Sequence, residues 1–147
     1  MKKFKFRLQS VLDMREKELE KKQQEMAGIV KILNSQIEEL EYINSKSAEV
    51  LASLENMYSE ASIDITTISG SNGYLIKLEV DAKKQNQVIQ NTRNVMRMKQ
   101  LEINEIYKKV KVLEKLKEKQ EKEYYKEFEV KTAKEIDDIV TTRYKVS

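Results

Sequence analysis

Apolar residues return at every seventh position along this chain, in two runs with one interruption. The first run is Leu12, Leu19, Met26, Leu33, Leu40, Ser47, Leu54 and Ala61. The second is Leu75, Ala82, Ile89, Met96, Ile103 and Val110, resumed at Tyr124 beyond Lys117. A seven-residue beat keeps side chains on one line of a helix that winds left-handedly about a partner, because 3.5 residues per turn holds a shared seam in phase. Between the runs, Ile63-Asp64-Ile65-Thr66-Thr67-Ile68 is β-branched and poorly helical, and Ser69-Gly70-Ser71-Asn72-Gly73 has the residues of a turn. The pattern therefore predicts an all-α fold: a long antiparallel two-helix coiled coil, or helical hairpin. Residues 1–147 form one coiled-coil domain on this reading, with helix 1 at about 4–61, a connection at 62–73 and helix 2 at about 74–143. At 1.5 Å per residue, helix 1 beyond Gln9 or Ser10 runs roughly 80 Å and helix 2 near 100 Å, so the second should project beside or past the N-terminus.

Placing the leucines of the first run at heptad position d puts Gln9, Glu16, Gln23, Val30, Ile37, Asn44, Leu51 and Tyr58 at a. Asn44 is then a candidate register device, since a polar seam residue trades stability for uniqueness. In the second run the a line pairs with Leu78, Gln85, Thr92, Lys99, Ile106, Leu113 and Gln120 at d, a mixed and rather polar seam. Ile29, Ile43, Val50 and Met57 fall at g on the first helix, and Tyr74, Val88 and Val95 at g on the second. Two readings of these surplus apolar residues stand: they pack over the seam edge, or they lie open to a partner.

Charge adds polarity to the hairpin. Residues 1–31 carry +4, residues 32–82 carry −7 and residues 83–147 carry +6. Folded back on itself, the chain would have an acidic turn end and a basic end bearing both termini. Such an arrangement suits two different partners, or simply solvates a helix surface. Charged residues make up 36% of the chain and aromatic ones 7%, in keeping with a coiled coil whose outer faces are wet. Proline is absent, so nothing breaks a long helix.

The composition removes most chemistry. Without histidine there is no ready general base, and without cysteine no thiolate or zinc-finger site. No glycine-rich phosphate loop occurs. Asp137 and Asp138 are adjacent, but helical neighbours point about 100° apart and make no site. No run of 18 apolar residues could span a bilayer, and the basic start has no apolar core behind it, so it does not read as a secretory signal. Lysines alternate with glutamates, as at Glu114, Lys117, Glu118 and Lys122, which is a solvated face and not a nucleic-acid stripe. No enzyme, cofactor or metal is expected, and no nucleic acid.

The ends are more specific. Phe4-Lys5-Phe6-Arg7-Leu8-Gln9-Ser10-Val11-Leu12-Asp13-Met14-Arg15-Glu16 resembles the opening F-x-F-x-L-Q-x-V-L-x-x-R-E of the FliJ family of flagellar export proteins. Leu113-Glu114-Lys115-Leu116, followed by Glu129, Lys131, Glu135-Ile136-Asp137-Asp138-Ile139 and Arg143-Tyr144, is similar to that family's closing helix. Tyr74-Leu75-Ile76-Lys77-Leu78 resembles its second-helix start. The likeness covers essentially the whole chain, and the order and spacing of the motifs carry it.

That resemblance implies a non-enzymatic, stalk-like component of the bacterial flagellar export apparatus, serving type III secretion and motility. It would bind the export ATPase hexamer, promote its assembly and activity, and link it to the export-gate membrane protein and to substrate chaperones. It would be a cytoplasmic monomer, peripheral at the cytoplasmic side of the cell membrane at the flagellar base through its partners. Carried over by resemblance, the ATPase-ring contacts are Phe4, Phe6, Leu8, Ile136, Ile139 and Arg143. The export-gate contacts are Tyr74, Leu78, Gln85, Gln36, Leu40 and Ile43, with Ser47 beside them. The stalk of a virulence injection system, a generic structural coiled coil, and a DNA- or membrane-surface binder acting through the basic end are the competing readings.

Overall fold

Long runs of helix-forming residues without proline leave the backbone little choice but helix. The computed structural model describes residues 2–60 and 64–146 and consists there of two α-helices with no strand. Helix α1 spans Gln9–Ser59 (51 residues) and helix α2 spans Ile65–Val146 (82 residues). The fold is the expected all-α hairpin coiled coil, with the helices packed against each other.

Helix α1 begins at Gln9 and not near residue 4. A turn at Arg7–Leu8 precedes it, in which the Gln9 N–H donates to the Phe6 carbonyl (3.1 Å) and the Leu12 N–H to the Leu8 carbonyl (2.9 Å). Leu8 thus receives the first helical bond, and Lys2–Phe6 stays outside the helix because Phe6 turns inward. Phe6 is 7% exposed and joins Leu12, Ile106 and Val110 in one apolar cluster.

The connection is shorter than the expected 62–73. Positions 61–63 lie outside the described residues, and 65–73 belong to α2. Asp64 starts that helix: its carboxylate accepts the Thr66 N–H (3.0 Å) and the Thr67 hydroxyl (2.9 Å), and its carbonyl accepts the Ile68 N–H (3.0 Å). A capping aspartate followed by good geometry outweighs the weak helix propensity of Ser69–Gly73. Gly70 and Gly73 accordingly have ordinary helical backbones with no positive φ. At the far end α2 runs to Val146, three residues beyond the expected stop, with Arg143 and Lys145 complementing the helix dipole in its last turn.

Contacts divide the chain into two compact units, one of Met1–Lys21 with Glu102–Ser147 and one of Lys22–Leu101. In the second unit the buried side chains are Leu33, Ile43 and Leu54 of α1 with Leu78 and Ile89 of α2. In the first they are Phe6, Leu12, Ile103, Ile106 and Val110. On α2 all the expected seam positions from Leu75 to Tyr124, on both lines, are buried or half-buried.

On α1 one line of the seam differs from expectation. The leucine line is inside, but its companion is Arg15, Lys22, Ile29, Gln36, Ile43, Val50 and Met57, three residues after each leucine position. Of the line assigned to a, only Gln9 and Ile37 are half-buried; Asn44, Leu51 and Tyr58 face solvent. Asn44 is therefore no register device. Steps of +3 and +4 both flank a helical line, at about −60° and +40°, and α1 has apolar residues on both flanks. Only the approach of α2 selects one.

Beyond Tyr124 the seam ends, because continuing both lines gives Glu127, Lys131, Lys134, Asp138, Thr141 and Lys145. The apolar positions change beat there: Tyr125 to Ile136 and Phe128 to Ile139 are eleven apart, a spacing that no longer follows the left-handed seam. From Lys126 to Lys145 every residue except Thr132 is exposed.

Two outcomes are expected. A Cβ added at Gly70 or Gly73 meets no atom within 4 Å, so Gly70→Ala and Gly73→Ala should each raise stability by about 0.5–1 kcal/mol in urea titration. The Thr67 hydroxyl and then the Thr66 N–H hold the Asp64 carboxyl below its ordinary value of 3.8. A depressed carboxyl contributes stability above its unfolded pKa and loses it as pH falls through the folded value. Amide protection at Thr66–Ile68 should therefore decline as pH drops below about 4, and Asp64→Asn should flatten that decline.

Candidate interaction surfaces

In the unit Lys22–Leu101, a groove of about 400 Å³ opens beside the seam. Its floor is made by Ile43 and Leu78, and Tyr42, Tyr74, Gln85 and Val88 stand along it. The heptad places these side chains: Ile43 and Leu78 lie on the seam itself, and Tyr74 and Val88 lie four residues before Leu78 and one before Ile89. Glu39, Lys46, Lys77, Asp81 and Lys84 supply a rim of both signs. The Lys46 ammonium lies 5.5 Å from the Tyr42 ring centroid and 3.4 Å from Glu49. Its hydrogen bond to Glu49, then the nearby charge of Glu49 and the phenols of Tyr42 and Tyr74, hold its pKa above the ordinary lysine range. Lys46 is thus a fixed cation over an aromatic face. An apolar floor, two phenols and mixed charges fit a short amphipathic peptide segment.

The seam under this surface contains polar layers. The Gln85 side-chain amide donates to the Gln36 backbone carbonyl (2.8 Å), while Gln36 Oε1 is buried without a partner. Lys99 Nζ meets Glu25 Oε2 at 2.8 Å across the helices, and Lys22 approaches the same carboxylate at 3.7 Å. Both pairings bridge α1 and α2 within the seam.

The sequence-expected positions fall out as follows. Tyr74, Leu78, Gln85 and Ile43 line the groove together; Tyr74 is 42% exposed, whereas Leu78 and Ile43 are buried floor residues at 6% and 8%. Gln36 and Leu40 are half-buried in the seam, outside the groove lining, and so is Ser47, whose hydroxyl donates to the Ile43 carbonyl. Tyr42 and Lys46 were not legible as groove residues. The i,i+4 aromatic–cation spacing was their only signal, and the a/d assignment of α1 placed Tyr42 on the solvent face.

In the other unit, Phe4 and Phe6 pack on α2 while Leu8 is exposed. Ile136, Ile139 and Arg143 stand exposed on the tail, and Ile136 is twelve residues past Tyr124, or about 18 Å along the helix. The two groups of expected ring contacts are therefore not brought together. Among the described residues no three His, Cys, Asp or Glu side chains cluster as a metal site, and no helix is long and apolar enough to cross a membrane.

Antiparallel helices with an amphipathic groove and an exposed apolar tail define a two-helix coiled-coil protein. The family described as flagellar FliJ protein matches residues 4–147, and the chain belongs to that family. It is accordingly a flagellar, type III export-related protein, and the family is a non-enzymatic component of that apparatus. Comparison with curated proteins and with solved structures gives no match.

Floor and rim should respond differently to truncation. Leu78→Ala should lower stability by about 2–3 kcal/mol through the seam cavity it leaves, whereas Tyr74→Ala should change it by less than about 0.5 kcal/mol, both read from urea midpoints.

Proposed function

We propose that this protein is the stalk of a flagellar export ATPase: it docks its terminal end into the ATPase hexamer, promotes ring assembly and hydrolysis, and connects the ring to the export gate and to substrate chaperones. The observation that supports this reading best is the bare tail of α2. Some twenty residues of helix without a partner helix, with Phe128, Ile136, Ile139 and Val140 open to solvent, are costly to leave wet and suit insertion into a surrounding protein wall. Family membership names the apparatus in which such a wall would be found. On the same reading the groove around Tyr74 takes a segment of the gate protein, with Leu78 and Ile43 as its floor. Gln85 lines the same groove, and Gln36 and Leu40 act through the seam beneath. The protein works as a monomer at the cytoplasmic side of the membrane, held there by its partners.

Purified protein should stimulate hydrolysis by its cognate export ATPase and increase the hexamer fraction in sedimentation. Ile136→Lys with Ile139→Lys should abolish both effects while circular dichroism and the urea midpoint stay unchanged. A folded wild-type protein that alters neither hydrolysis nor assembly rejects the proposal. Tyr74→Ala should weaken capture of the gate protein's linker and leave ATPase stimulation intact.

A further inference from the structure

The residues before α1 do not hang free. Lys2–Leu8 crosses the first unit outside any helix, and α2 receives it along the face that begins where α1 starts. Phe6 is buried with Ile106 and Val110, and Leu113, Leu116 and Phe4 pack against that cluster. Further along, the Phe4 ring meets Tyr124 with centroids 5.7 Å apart, and the Tyr124 hydroxyl donates to the Lys2 carbonyl at 2.6 Å. The dimensions agree: six residue steps of non-helical chain reach up to about 20 Å, and Leu113 to Tyr124 spans about 17 Å of helix. A strap of seven residues therefore covers the end of the α2 seam up to Tyr124, continuing from the first turns of α1, whose Val11 and Arg15 still stand beside Leu113.

Its hold is slight for its length. Phe6 alone is buried; Lys2, Lys3, Lys5, Arg7 and Leu8 are exposed. Among the described residues, the strap's backbone makes three hydrogen bonds: those of the Phe6 and Leu8 carbonyls at the helix start, and the one from Tyr124. Ordering seven residues opposes two aromatic contacts and one hydroxyl bond, so closed and open states lie close in free energy. Beyond Tyr124 the line under the strap turns polar, and the exposed apolar residues Phe128, Ile136 and Ile139 stand on a neighbouring face of the same helix.

We propose that Lys2–Leu8 is a detachable strap that occupies the α2 face from Leu113 to Tyr124 in the free protein and leaves it when the tail docks. This inference rests on the ATPase-docking reading for the identity of the competitor, and on the strap geometry alone for the latch. It resolves a conflict in that reading, because Phe6 cannot be a core residue and a ring contact at once. Released, Phe6 becomes available to the partner, Phe4 is left in solvent, and the uncovered helix face adds about 17 Å to the docking surface.

The chain lacks tryptophan, so Phe4→Trp supplies a single fluorescent reporter at the strap. In the free protein, acrylamide should quench this reporter more slowly than an exposed tryptophan, and adding Tyr124→Phe should raise the open-to-closed ratio about three- to tenfold through the loss of one hydrogen bond. Helicity checked by circular dichroism should not change. Equal quenching with and without the hydroxyl overturns the latch, whether or not any partner binds. With the export ATPase present, quenching should rise as the complex forms, and Tyr124→Phe should tighten binding in proportion to the open fraction it adds. A bound complex in which the reporter stays protected, or unchanged affinity of the Tyr124→Phe protein, overturns the displacement. Failure of the wild type to bind the ATPase at all rejects the docking reading instead, and the latch then stands or falls on the free-protein quenching.

Discussion

A pair of helices gives each helix only one stripe to bury, and that constraint governs this protein. The ten buried side chains of the described residues lie on the seam, except Phe6, which covers the seam where α1 has not yet begun. No third layer exists to rescue a misplaced residue, so whichever line of α1 faces α2 determines what is core and what is surface. Ile43 becomes a floor residue and Leu51 a solvent-facing one through a difference of about 100° round the helix axis.

Polar residues within that stripe pair across the helices in the observed alignment. Apolar seams tolerate slippage by a heptad because one leucine resembles another; in the observed alignment the Gln85 amide meets the Gln36 carbonyl and Lys99 meets the Glu25 carboxylate. Glu25 and Lys99 keep partial access to water, which limits the desolvation that a fully buried pair would suffer. The seam is therefore looser than an all-leucine zipper and better defined. The groove around Tyr74 depends on this register: Ile43 and Leu78 meet to make its floor only if α1 and α2 are aligned as they are.

The change from a seven- to an eleven-residue beat marks where α2 stops being one half of a pair. A left-handed supercoiled pair requires 3.5 residues per turn, and an eleven-residue spacing, at about 3.67, no longer follows it. The tail thus lacks the pattern that packs against α1, in keeping with the terminal docking proposed for this protein. The strap occupies the transition between the two regimes.

The hairpin, its two helices, the whole α2 seam and the leucine line of α1 were legible from the sequence, since strict periodicity maps directly onto one helical face. Motifs at the ends carried the family. The second line of α1 was not legible, because Ile29, Ile43, Val50 and Met57 compete with Val30, Ile37, Leu51 and Tyr58 and a single helix holds no information about where its neighbour lies. Nor were Tyr42 and Lys46 at the groove, since neither belongs to a seam line. The turn was placed too late, because Ser69–Gly73 has turn composition while Asp64 caps a helix that runs through it. Sequence by itself determined that two helices would bury one stripe; the tertiary structure decided which flank of α1 that stripe includes, because only the partner's approach distinguishes two nearly equal apolar lines.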